Sequence, residues 1–156
     1  MTRTAELQSN ARRSVAEALA GVLADTFQLY LKTHASHWNV TGPEFPALHE
    51  LFATQYTEMW NALDEIAERI RALGAMAPSS PAAFAALSTI APAEGPPSEA
   101  RRMVLDLLAG HEQLIARARE ALSIADEAGD AASADLLTVR VAAHEKTAWM
   151  LRATAG

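Results

Sequence analysis

Apolar residues recur at three- and four-residue spacing through most of this chain, the periodicity of helices that bury one face. Over residues 5–37 the stripe is Val15, Leu19, Val22, Leu23, Leu29 and Tyr30, and it predicts a first long helix. That helix ends before Asn39 to Pro46, where a Thr-Gly-Pro turn cannot continue it. A second long helix over 46–73 follows from Leu48, Leu51, Phe52, Met59, Leu63, Ile66, Ile70 and Leu73, with Pro46 suited to a first turn and Gly74 as the stop. Residues 75–97 carry Pro78, Pro81, Pro92, Pro96 and Pro97, too many for one regular element, yet the stretch is too apolar for a solvated linker. A short helix over 82–87 would bury Phe84 and Leu87. Val104, Leu107, Leu108, Leu114, Ile115, Ala118 and Leu122 predict a third long helix over 98–127. A fourth starts at Asp130, a suitable N-cap, and runs to about Ala153. The pattern therefore predicts an all-α, four-helix bundle with one short crossover helix between the second and third long helices.

With 156 residues and 50% hydrophobic content, the chain fits one domain with a full core. No apolar run is long enough for a membrane span, and MTRTAELQSNARRS does not resemble a signal peptide, so a cytoplasmic location is the expectation. There is no cysteine, which excludes disulfides and thiolate metal sites. Any metal is then held by His, carboxylate or water, donors that suit iron, manganese or zinc. The formal net charge of −6 argues against a general nucleic-acid binder and favours the collection of cations.

The densest cluster of metal-type residues lies between His37 and Gly74. On one helix, His49 and Asp64 are separated by roughly 22 Å along the axis, too far for a shared ion. If a second copy of that helix packs antiparallel about a midpoint near Tyr56 and Thr57, His49 of one copy stands level with Asp64 of the other. Two equivalent sites form at one twofold interface. Asp64 and Glu68, four apart on one face, supply a carboxylate pair, and the facing copy supplies His49 together with His37. Solvated pairing with Arg69 or Arg71 is the simpler alternative for the two carboxylates. No histidine has a Glu three residues before it, so the Glu-x-x-His element of a di-iron site inside one bundle is missing.

The segments HWNVTGPEF, LHELF and LDEIAERIRALG, with the ending ADLLTVRVAAHEKTAWMLRA, resemble the Dps family of miniature ferritins over nearly all of residues 1–156. The resemblance implies a single ferritin-like domain, assembly as a homododecamer built from dimers, and an intersubunit ferroxidase site of His37, His49, Asp64 and Glu68. It further implies Fe(II) oxidation, preferably by hydrogen peroxide, and storage of Fe(III) inside the shell. Ala53 departs from the family pattern, which usually places Asp or Glu four residues after the second His. Glu50 points about 100° away and is a poor substitute.

Trp38 and Trp60 read first as interface packing, and by resemblance Trp38 is also a radical trap beside the site. His34 shares a face with His37 and reads as a supporting residue. His111 and His144 read as packing histidines with satisfied hydrogen bonds. Asp126, Glu127, Asp130 and Asp135 surround the last interhelical turn; by resemblance, Asp126, Asp130 and Asp135 are candidates for a threefold iron-entry pore. Residues 1–12 are a candidate flexible tail with Arg3, Arg12 and Arg13, although Arg12 and Arg13 fit the start of the first helix. So few charges leave at most weak DNA binding, hence nucleoid association, even with twelve tails acting together. The alternatives to iron oxidation are a DNA-protecting shell with a degenerate metal site and an interfacial site for zinc or manganese.

Overall fold

The computed structural model describes residues 3–92 and 94–156, with side chains from Gln8 onward. Its helices are α1 (Arg3–Asn39), α2 (Phe45–Ala72), α3 (Pro81–Leu87), α4 (Ala100–Glu127) and α5 (Ala131–Ala155). The four long helices make the predicted all-α bundle, and α3 lies in the crossover. Among the described residues, no helix is long and apolar enough to cross a membrane.

The sequence pattern sets most helix ends. Pro46 falls in the first turn of α2, where its missing N–H removes no intrahelical bond. At the other end Gly74 adopts φ 92°, and Gly74 N–H to Arg71 O with Ala75 N–H to Ile70 O close a Schellman cap. Asp130 caps α5 by accepting from Ser133 N–H, as expected. At the N-terminus residues 3–12 are helical, and Arg12 and Arg13 belong to α1, as their fit to the start of the first helix predicts; Met1 and Thr2 lie outside the described residues.

Named pairs fix the bundle's registers. Lys32 with Asp106 and Asp25 with Arg117 align α1 antiparallel to α4. Glu58 with Arg140, and Arg69 with Asp130, align α2 antiparallel to α5. Leu19, Leu29, Phe52, Ile66, Leu107, Leu114, Leu137 and Leu151 fill the interior and are fully buried. At Gly110 the Leu29 side chain approaches so closely that a Cβ would stand 2.6 Å from it, so glycine allows α1 and α4 to meet.

The crossover is latched by one buried carboxylate. Asp25 accepts from Ser88 Oγ (2.7 Å), Thr89 N–H (2.6 Å) and Thr89 Oγ1 (2.7 Å), with the Arg117 guanidinium 3.3 Å away. With Ile90 N–H also at 3.3 Å, five donors around a fully buried carboxylate offset the cost of taking its charge from water. Nearby, Phe84 of α3 stacks on Phe27 of α1 at 4.5 Å. Phe84 is thus packed, though only partly buried, whereas Leu87 is 40% exposed and not buried as predicted.

Candidate metal centre

His37 lies in the last turn of α1, and His49 stands at the start of the second turn of α2 across the short connection. Their rings stack at 3.7 Å and 16°. Each backbone carbonyl takes the partner's ring nitrogen: His37 Nδ1 donates to His49 O, and His49 Nδ1 donates to His37 O, both at 2.7 Å. A carbonyl only accepts, so both Nδ1 atoms carry hydrogen. Both Nε2 atoms of the neutral rings are left as lone-pair donors, the tautomer a metal requires.

A ring of aromatic residues backs the pair. Tyr30, His34, His37 and Trp38 share one face of α1; Tyr56 and Trp60 face them from α2. His34 stacks on Tyr56 at 3.8 Å and lies 4.1 Å from Trp38, ring to ring. The Tyr30 hydroxyl meets His34 Nδ1 at 2.9 Å. Burial, aided by His37, lowers the His34 pKa, while burial and Tyr56 raise that of Tyr30. The phenol is therefore the donor and the neutral imidazole the acceptor.

Asp64 and Glu68 sit further along α2, exposed, and do not reach His37 or His49 within the same chain. Among the described residues, no three His, Asp or Glu side chains converge to hold a metal ion. The arginines named as alternative partners are engaged elsewhere: Arg69 binds Asp130 (2.8 Å) and Ser133, while Arg71 donates to Ala75 O and approaches Met76 Sδ. Beside Asp64 a groove of about 660 Å³ is floored by Phe27, Leu23 and Phe84 and walled by Trp60. Trp38 and Trp60 are 61% and 59% exposed, large apolar surfaces next to the histidine pair and the carboxylates.

A ferritin-like domain model matches residues 16–156. The DNA protection during starvation protein of Brevibacillus brevis is 37% identical over 147 residues, covering 94% of this chain and 98% of that protein. An uncharacterised low temperature-induced protein of Nostoc sp. is 39% identical, covering 94% and 82%. The crystal structure of Dps from Thermosynechococcus elongatus superposes with a TM-score of 0.91 at 32% identity, over 96% of this chain and 94% of that one. The chain belongs to the Dps family.

Other residues of this Dps protein have partners that their sequence readings did not include. Asp130 is taken up by Ser133 and Arg69; burial works to raise its pKa, but these bonds overcome it and hold the carboxyl below its ordinary value. Asp126 and Asp135 remain exposed on either side of the turn. His111 and His144 are not fully satisfied. Bidentate Arg140, paired with Glu58, donates through Nη2 to His144 Nε2 at 3.1 Å. His144 Nδ1–H then donates to His111 Nδ1 at 3.0 Å, leaving buried His111 Nε2 without a partner. Gln55, level with His144 by the α2–α5 register, also has both amide atoms buried and unpartnered. Sequence reasoning missed this polar layer and the Tyr30–His34 bond. The i, i+4, i+7, i+8 spacing of Tyr30, His34, His37 and Trp38 was the available signal for the second.

Proposed function

We propose that this Dps protein binds Fe(II) between two copies of itself, oxidises it, preferably with hydrogen peroxide, and stores Fe(III) in a hollow shell of twelve chains. Removing Fe(II) and peroxide together limits oxidative damage. The observation that carries this reading is the reciprocal His37–His49 clasp, which fixes two stacked rings through Nδ1 and leaves both Nε2 lone pairs unengaged among the described residues. Asp64 and Glu68, free of any ion pair among the described residues, are the complementary half from a second copy, with the groove beside Asp64 receiving that copy. Imidazoles hold the incoming iron, and the carboxylates stabilise Fe(III) over Fe(II). Asp126 and Asp135, exposed at the α4–α5 turn, would draw iron through an acidic pore, while Asp130 holds the turn together.

Anaerobic Fe(II) oxidation by added peroxide, compared with Asp64→Ala, tests the reading. Rapid oxidation lost in the variant is expected; equal rates in wild type, variant and buffer would overturn it. Ala53 favours one alternative, a DNA-protecting shell with a silent metal site, whose mark is a DNA shift that fades steeply with salt and no iron oxidation. Zinc or manganese suits the same donors, and metal analysis of protein purified without added metal distinguishes that use.

A further inference from the structure

Resting on the iron-oxidising reading, the second electron needed at this site can be traced to a particular side chain. Ala53 stands one turn beyond His49 and removes a donor, favouring a single iron per site. One Fe(II) gives one electron, whereas reduction of hydrogen peroxide to water takes two. An unassisted single iron would release hydroxyl radical.

We propose that Tyr30, hydrogen-bonded to His34, supplies the second electron. The route is a run of close rings: His37 to Tyr56 at 5.2 Å, Tyr56 stacked on His34 at 3.8 Å, and Tyr56 to Tyr30 at 6.3 Å. Trp60 adds a branch 5.3 Å from Tyr30. A phenol loses its proton when it loses an electron, so a base already on its hydrogen bond eases the oxidation. The chain has two tyrosines, and Tyr30 is the one whose hydroxyl meets an imidazole. Among the described residues, neither Trp38 nor Trp60 has such a base on its indole N–H.

The step balances. The peroxide O–O bond breaks, Fe(II) becomes Fe(III), and Tyr30 becomes a phenoxyl radical. Its proton passes from Oη to His34 Nδ1, solvent supplies two protons, and two waters leave. A second Fe(II) then reduces the phenoxyl, and His34 returns the proton. Two irons are thus oxidised per peroxide at a site that holds one at a time.

The test is anaerobic addition of peroxide to the Fe(II)-loaded assembly, with freeze-quenched electron paramagnetic resonance, a hydroxyl spin trap and peroxide-to-iron stoichiometry. Wild type is expected to show a phenoxyl signal and one peroxide consumed per two irons. Tyr30→Phe should lose the signal, move towards one peroxide per iron and raise the spin adduct severalfold, while its Fe(II) affinity stays that of wild type. Tyr56→Phe should keep the phenoxyl signal, and His34→Gln should lower its yield. Unchanged signal and stoichiometry in Tyr30→Phe would overturn the proposal. Failure of wild type to oxidise iron would instead overturn the function reading, and a metal-free arm addresses Tyr30 separately. Azide radicals generated by pulse radiolysis oxidise tryptophan; transfer onto tyrosine in wild type but not in Tyr30→Phe supports the pair, and a hole that remains on tryptophan overturns it.

Discussion

Ala53 lies on the His49 face of α2, where a carboxylate four residues on would point toward the same metal. Its methyl group offers no lone pair, so on the proposed reading the iron would have one ligand and one neutralising charge fewer. Restoring the donor with Ala53→Asp is expected to raise Fe(II) affinity and the initial oxidation rate by about tenfold or more, the scale on which neighbouring donors alter metal sites. Titration with Fe(II) under anaerobic conditions measures it, and an unchanged isotherm would show that Ala53 is not a ligand position. The histidines have a different dependence. Because each Nδ1 is held by a backbone carbonyl, His49→Ala removes one ligand without freeing the His37 tautomer. That variant should retain weakened metal binding, whereas the double change with His37→Ala should abolish it.

Between elements, the crossover depends on Asp25 rather than on α3 itself, which has no fully buried residue. Asp25→Ala leaves Thr89 N–H and the Ser88 and Thr89 hydroxyls without their acceptor and separates Arg117 from its counter-charge. The expected cost is about 3 kcal/mol, from losing a hydrogen-bonded buried charge. Urea unfolding would read it as a lower midpoint, with faster amide exchange concentrated at residues 88–90. A uniform change across the bundle would contradict the latch. Asp25→Asn should fall between, since an amide oxygen still accepts but carries no charge.

At the scale of the whole molecule, the polar layer at the bundle centre makes stability depend on pH. Burial, followed by Arg140, lowers the His111 pKa to about 3; burial, then His111 and Arg140, lowers that of His144 well below the ordinary 6.5. Both rings are neutral in the folded protein and become charged on unfolding in acid. Their contribution is complete above pH 6.5 and is lost as pH falls toward 3, with a limiting slope of about 1.4 kcal/mol per pH unit for each histidine. Asp130 behaves in a separate window: its pKa lies below 3.8, so its contribution is lost only as pH falls through that more acidic range. Melting temperatures should therefore decline from pH 6.5 to 5, and a His111→Met, His144→Leu variant should show a shallower decline. Equal slopes would remove these histidines as the cause.

Periodicity alone determined the four long helices and the crossover, because burying one face imposes a three- and four-residue repeat and because proline and glycine interrupt backbone hydrogen bonding wherever they stand. The HWNVTGPEF, LHELF and LDEIAERIRALG segments were enough to indicate the family and to single out His37, His49, Asp64 and Glu68. Tertiary structure decided what those positions do to one another. The reciprocal clasp depends on where the α1–α2 connection brings two backbone carbonyls, which residue spacing does not encode. The Glu58–Arg140–His144–His111 chain depends on how three helices align, and His111 read by itself looked like an ordinary packing residue. Asp130 was legible as a helix cap from its place before the last helix, but it became an ion-pair partner only when folding placed Arg69 against it. Spacing along a chain fixes which side chains share a face; contacts across helices fix which proton each one carries.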